Sequence, residues 1–166
     1  MMKLFTVTFT LILLTSLPAF SQAISFGIGA DVTFPLDALK DKVETGYGGT
    51  ALAKFGLIPM LDLTGGVEYL KFTTKSITVN GVTGDASSDA WGILVGGRFS
   101  FIPMLYVGLE TGTYSFTTDI PGSSEKITHG VIVPMVGGSL GPLDISARYV
   151  SAGDDTFWGL RGMFWL

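Results

Sequence analysis

Seven charged residues of this chain, Asp31, Lys54, Glu68, Arg98, Glu110, Arg148 and Arg161, sit at alternating positions within apolar, glycine-rich segments. Charges of both signs in such surroundings suit two kinds of chemistry. They can pair, guanidinium to carboxylate, in a water-poor interior and tie segments together, or they can relay protons or ions. The pairing is the expectation adopted, as one connected network with Arg98 between Glu68 and Glu110 and Arg161 between Asp31 and Arg148. A second group has the residue types for nucleophilic chemistry. His129, the only histidine, follows closely on Ser123, Ser124 and Glu125, so a serine, histidine and carboxylate set for lipid ester cleavage can be drawn. No spacing enforces that geometry. The simpler expectation is an interfacial histidine facing outward with Val131 and Val133, and no catalytic residue is assigned.

Other chemistry is excluded by composition. The chain has no cysteine, which removes disulfides, thiol nucleophiles and cysteine-based metal sites. Asp154-Asp155 is an isolated carboxylate pair, and no metal-ligand spacing is present. The Gly-Gly pairs beginning at 48, 65, 96 and 137 precede no helix, so they are read as close packing or bulges in strands rather than phosphate cradles. No cofactor or metal is expected. A formal net charge of −4 argues against a nucleic-acid partner.

The elements that must hold these residues are strands. Met1 to Ala23 carries Lys3, an apolar stretch from Leu4 to Leu17, and Ser21 and Ala23 ahead of a cleavage point, the pattern of a secretory signal peptide. Residues 24–166 then form one domain. Only 14% of the chain is charged and mean hydropathy is +0.50, yet no later stretch is apolar for the ~20 residues that a membrane helix needs. The apolar residues recur instead with period two, in eight runs near 24–34, 47–57, 61–74, 89–101, 104–118, 127–140, 143–151 and 156–166. Most reach the ~9 to 11 residues of a tilted strand that crosses a bilayer.

The segments Lys54 to Leu61 and Arg98 to Leu105 repeat one pattern, with Ile-Pro-Met-Leu closing both. Pro59 and Pro103 fit the second position of a tight turn, and Gly141-Pro142 supplies a third. These short turns alternate with four longer, more polar connections, around 35–46, 75–88, 119–126 and 152–155. Within the second, Ile77, Val79 and Val82 flank Asn80-Gly81, the signature of a type I′ hairpin. The hairpin would expose an edge that a partner protein could join by strand addition. Pro134 falls inside the sixth run, where a bulge is expected to absorb its missing donor.

Which face is apolar decides between a soluble and a membrane barrel. One row collects the glycines, the hydroxyls and both signs of charge. The other is Ile, Val, Leu and Phe on every strand, with Tyr47, Tyr69, Trp91, Phe101, Tyr149 and Trp158 toward the strand ends as interfacial girdles. The chain closes on such a row, Trp158, Leu160, Gly162, Phe164 and Leu166.

Taken with the leader and the terminal aromatic strand, residues 24–166 resemble the small bacterial outer-membrane β-barrel family of OmpA and OmpX type. The resemblance implies an all-β fold, an eight-stranded antiparallel up-and-down transmembrane β-barrel. It also implies export to the outer membrane, contact with outer-membrane lipid, and insertion by the outer-membrane assembly machinery through the C-terminal strand. Phe164 and Trp158 match that strand's pattern, and Leu166 stands where a terminal Phe or Trp is usual. The functional expectation is a non-enzymatic barrel whose loops serve adhesion, partner binding or envelope integrity. The alternatives are a narrow pore or small-molecule transporter, and a lipid-modifying barrel enzyme using His129.

Overall fold

The computed structural model describes residues 24–36, 43–74, 77–79, 82–84, 87–120, 123–153 and 155–166. Residues 1–23, which the sequence pattern reads as a leader, lie outside them. The strands in chain order are β1 (Ile24–Leu36), β2 (Val43–Ile58), β3 (Leu61–Thr74), β4 (Ile77–Val79), β5 (Val82–Gly84), β6 (Ser87–Ile102), β7 (Leu105–Ile120), β8 (Ser123–Leu140), β9 (Leu143–Ala152) and β10 (Asp155–Trp165). Eight of them close a barrel in the order β1-β10-β9-β8-β7-β6-β3-β2, every neighbour antiparallel. The eight-stranded up-and-down expectation is met, with several strands running further than the sequence pattern suggested at the end holding the long connections. The two short strands pair with each other as a separate ribbon, Val79 opposite Val82. Asn80 and Gly81 lie outside the described residues.

The period-two pattern is realised as two faces. Outward residues such as Ile93 and Ile145 are 64% and 68% exposed, and the alternate row is buried in the lumen. The short turns follow from their residues. Proline at the second position fixes a φ compatible with ordinary turns, whose twist opposes that of a hairpin. In both copies of the repeat the ladder slips beside the turn, between Gly56 and Ile58 and between Ser100 and Ile102, and the extra residue reconciles turn and strand twist. Gly141 takes the other solution, with φ 61° ahead of Pro142, the left-handed start that a primed hairpin turn requires.

The register sets the tilt. Cross-strand partners of Phe26 run through Ala53, Gly65, Val95, Thr111, Ile132, Ser151 and Thr156 and return to β1 at Leu36. The circuit therefore comes back ten residues further along β1, from position 26 to position 36. At the usual strand rise and barrel tilt, each step gains about 3 Å of height toward the long connections. Residues paired across the sheet are thus not level, which matters for the lumen.

Two expectations are corrected. Pro134 makes no bulge. It faces outward and pairs with Leu109 of β7 in an unbroken ladder, while the β8–β9 ladder skips from Ile132↔Ser151 to Met135↔Arg148 without changing register. The missing donor thus falls on the β9 side and costs a local gap only. Val131 and Val133 are buried in the lumen, not outward. A β-branched pair reads the same on either face by type, and the outward row of β8 is Ile132, Pro134, Val136 and Leu140.

Candidate functional site

The lumen is filled in three layers. In the middle, Glu68 of β3 accepts hydrogen bonds from both terminal nitrogens of Arg148 (β9), Nη1 to Oε2 at 2.9 Å and Nη2 to Oε1 at 2.5 Å. It also accepts from Arg161 Nη2 (β10) at 2.6 Å and from the Tyr114 hydroxyl (β7) at 2.6 Å. Arg161 turns its Nε to Asp31 Oδ1 of β1 at 2.9 Å and lies 3.5 Å from Glu110 Oε2. Thr64 donates to Glu110 Oε1 at 3.2 Å. Arg148 and Arg161 are wholly buried. Burying such ions is costly unless each is paired and hydrogen-bonded, and here two guanidiniums share three carboxylates, the five groups coming from five different strands.

Below this layer, toward the short turns, Arg98 Nη1 meets Asp144 Oδ2 at 3.3 Å, and the carboxylate also accepts from Tyr106 Oη at 2.6 Å and Ser139 Oγ at 2.8 Å. Trp165 lies across this mouth, with Lys54 Nζ 4.5 Å and the Arg98 guanidinium 5.4 Å from its ring. Such contacts hold a cation over an aromatic face. Above the middle layer, Phe72, Tyr114, Phe116 and Phe157 form an aromatic cluster with centroids 6.0 to 6.5 Å apart, in the tilted and edge-on arrangements that rings prefer. Glycine makes room for them: a Cβ on Gly92 would come within 2.7 Å of the Tyr114 ring.

The seven charged residues singled out in the sequence thus divide. Asp31, Glu68, Glu110, Arg148 and Arg161 come together, whereas Lys54 and Arg98 lie at a lower level. Arg98 pairs with Asp144 and not with Glu68 or Glu110. The register explains this: Glu68 is opposite Gly92 and Glu110 opposite Gly96, so both carboxylates belong above Arg98 on the climbing circuit. Sequence reasoning left Asp144, Tyr106, Tyr114 and Trp165 out of the network. Their parity was available, since Tyr106 and Tyr114 extend the row of Glu110 and Trp165 extends that of Arg161, but an aromatic residue carries no sign of which face it fills.

His129 is also on the inner row. It packs on Phe116, centroids 6.2 Å apart, at the upper mouth, and so turns away from the outward surface on which lipid-ester chemistry would occur. Among the described residues no cluster of metal-ligating side chains is found. The side chains of Ser123, Ser124 and Glu125, and those of Ile77, Val79 and Val82, lie outside the described set.

No protein-family model matches the chain, and no curated protein does. Solved structures do match. The attachment invasion locus protein Ail of Yersinia pestis aligns at TM-score 0.57 and 12% identity over 86% of this chain and 96% of that one. Neisserial surface protein A aligns at 0.59 and 16%, covering 86% and 96%, and the N-terminal β-barrel domain of Pseudomonas aeruginosa OprF at 0.51 and 14%, covering 86% and 97%. The fold is that of the small eight-stranded outer-membrane barrels. A further Ail structure, at TM-score 0.56 and 15% identity over 86% and 96%, is in complex with the heparin analogue sucrose octasulfate. At these identities the likeness concerns the outer-membrane barrel fold alone, and the lumen network belongs to this chain's own residues.

Proposed function

We propose that this chain is a non-enzymatic protein of the bacterial outer membrane, exported by the leader at residues 1–23. Its plugged barrel holds the long connections at the cell surface for adhesion or partner binding. The observation that carries the reading is the Glu68 hub. An interior occupied by two fully buried guanidiniums and their carboxylates, with ring layers above and below, supports an anchor rather than a conduit. The outward apolar row on every strand supports lipid as its solvent, because the ladders of a closed barrel leave no open sheet edge inside the belt and Pro134 interrupts them only locally.

Charge narrows the partner. The four long connections and their flanks, residues 35–46, 71–89, 118–126 and 152–155, hold nine acidic and five basic residues. Such a surface repels a sulfated polyanion of the kind bound in the second Ail structure, and favours a neutral or basic partner. The pore and enzyme alternatives receive no comparable support, from the filled lumen and from the inward His129 respectively.

The test is conductance. The refolded barrel in planar bilayers should show no stable open level, and Glu68→Ala, which removes the acceptor shared by both arginines, should introduce flickering current. A steady conductance in the parent protein would overturn the plugged-anchor reading in favour of a pore.

A further inference from the structure

The inner row thins out below the Arg98 layer. Partners in an antiparallel ladder share a face, so Ser25 opposite Lys54, Gly56 opposite Asp62, Ser100 opposite Tyr106 and Ser139 opposite Asp144 all point into the lumen. These four positions lie nearest the short turns, and all are small. Ser100 is two residues below Arg98 on β6, about 5 Å at the tilt of the strands. The lower mouth is therefore a shallow cup, with charges and rings for a floor and no large side chain to close it from beneath.

The floor is only partly satisfied. Asp144 has donors on both oxygens, from Arg98 Nη1, Ser139 and Tyr106. By contrast, Arg98 Nε and Nη2 and the Trp165 indole Nε1 are buried and find no acceptor among the described residues. Buried donors without partners are costly and call for an explanation. Nε and Nη2 form one edge of the guanidinium, the edge that grips two oxygens of a carboxylate or phosphate at once. Lys54 and Asp62 are half-buried, and among the described residues neither enters an ion pair. Asp62 is directly opposite Arg98 in the ladder, yet Arg98 turns to Asp144 instead. Trp165 lies over both cations, and only glycine at position 27 lets the ring lie there, since a Cβ would come within 2.8 Å of it.

We propose that this cup is a binding site for a small zwitterion, an oxyanion and a primary ammonium held a few atoms apart, entering from the side of the short turns. The proposal rests on the reading of the chain as a closed, lipid-embedded barrel. The oxyanion, a phosphate or carboxylate, sits between the Lys54 ammonium and the free edge of Arg98. Trp165 turns aside to admit it and adds its indole N–H. The ammonium meets Asp62. Charge decides the class of ligand: a simple anion would face Asp62 and a simple cation would face Lys54 and Arg98, whereas a zwitterion pairs with every charge that the lower layer leaves without one. The cup is blind, because the arginines and carboxylates of the middle layer close the lumen above it. The same chemistry is carried by the headgroup of an ethanolamine phospholipid at the rim and by soluble amino compounds.

The experiment reads the indole N–H resonances of the refolded barrel in phosphatidylglycerol nanodiscs, with O-phosphorylethanolamine as the soluble probe. Trp91 and Trp158 face outward at the opposite end and serve as internal references. The probe should shift the Trp165 resonance saturably and leave the other two in place, while inorganic phosphate and ethanolamine should each bind about tenfold more weakly. Lys54→Met should weaken the probe about tenfold, and Asp62→Asn should let phosphate bind as well as the probe does. Exchanging the nanodisc lipid for phosphatidylethanolamine separates the sources: a Trp165 shift without any solute assigns the zwitterion to a headgroup, and a shift with the soluble probe alone assigns it to a solute. A Trp165 resonance unmoved by both probe and lipid would overturn the site. So would phosphate binding to the parent chain as well as the probe, or a preference for the probe that survives Asp62→Asn. If the barrel stays heat-modifiable and non-conducting throughout, those results leave the anchor reading intact.

Discussion

Glu68 and Arg148 are 80 residues apart in the chain and form a two-pronged ion pair across the lumen, at 2.9 and 2.5 Å. The same carboxylate also accepts from Arg161 and Tyr114, so β3, β7, β9 and β10 meet at one side chain. Removing one partner of a buried pair leaves the other uncompensated, at about 3 to 5 kcal/mol. Glu68→Gln should therefore lower the barrel's stability by that amount, read as a fall in the urea midpoint of unfolding in lipid vesicles. An unchanged midpoint would mean that water, not Glu68, neutralises the arginines.

Arg98 belongs to a separate layer, and its energetics should show it. Arg98→Ala and Asp144→Asn, each about 2 to 4 kcal/mol destabilising, should couple by about 0.5 to 3 kcal/mol in a double-mutant cycle. Arg98→Ala with Glu68→Gln should be more nearly additive. Strong coupling of Arg98 to Glu68 would restore the single network that the sequence suggested.

Glycines on the two faces should respond in opposite ways. A Cβ at Gly92 would lie 2.7 Å from the Tyr114 ring, whereas one at Gly162 would meet nothing within 4 Å. Gly92→Ala should cost about 1 to 3 kcal/mol through overpacking, and Gly162→Ala should be neutral or slightly stabilising. Equal effects in parallel urea titrations would contradict the face assignment.

The outward row should be sensitive to charge in proportion to depth. Ile145→Arg, within the apolar belt, should destabilise the lipid-embedded barrel by about 2 to 4 kcal/mol, while Thr128→Arg, above the aromatic level, should cost less than about 1. The parent chain should need detergent or lipid to fold and should migrate differently on a gel before and after boiling. A detergent-independent soluble monomer would remove the membrane reading altogether.

Deleting Ser76 to Gly84 should leave heat-modifiable migration intact, because the β4–β5 ribbon is not part of the barrel's ladder. Loss of the heat-modifiable form in the deletion variant would mean that the ribbon is part of the folded scaffold.

Strand number, the two faces and the short turns were legible in the sequence because each is a local rule: side chains alternate with period two, proline fixes φ in a turn, and glycine with charge avoids lipid. Asp31, Glu68, Glu110, Arg148 and Arg161 could be set on the inner row for the same reason. Height could not be read locally, because the ten-residue displacement from Phe26 to Leu36 is a property of the closed circuit. It alone carried Arg98 down to Asp144 and left Glu68 with Arg148 and Arg161. Residues whose type suits either face, Val131, Val133, His129, Tyr106, Tyr114 and Trp165, were likewise assigned only by closure. Pro134 needed no bulge because β9 could leave a gap in its ladder without losing register.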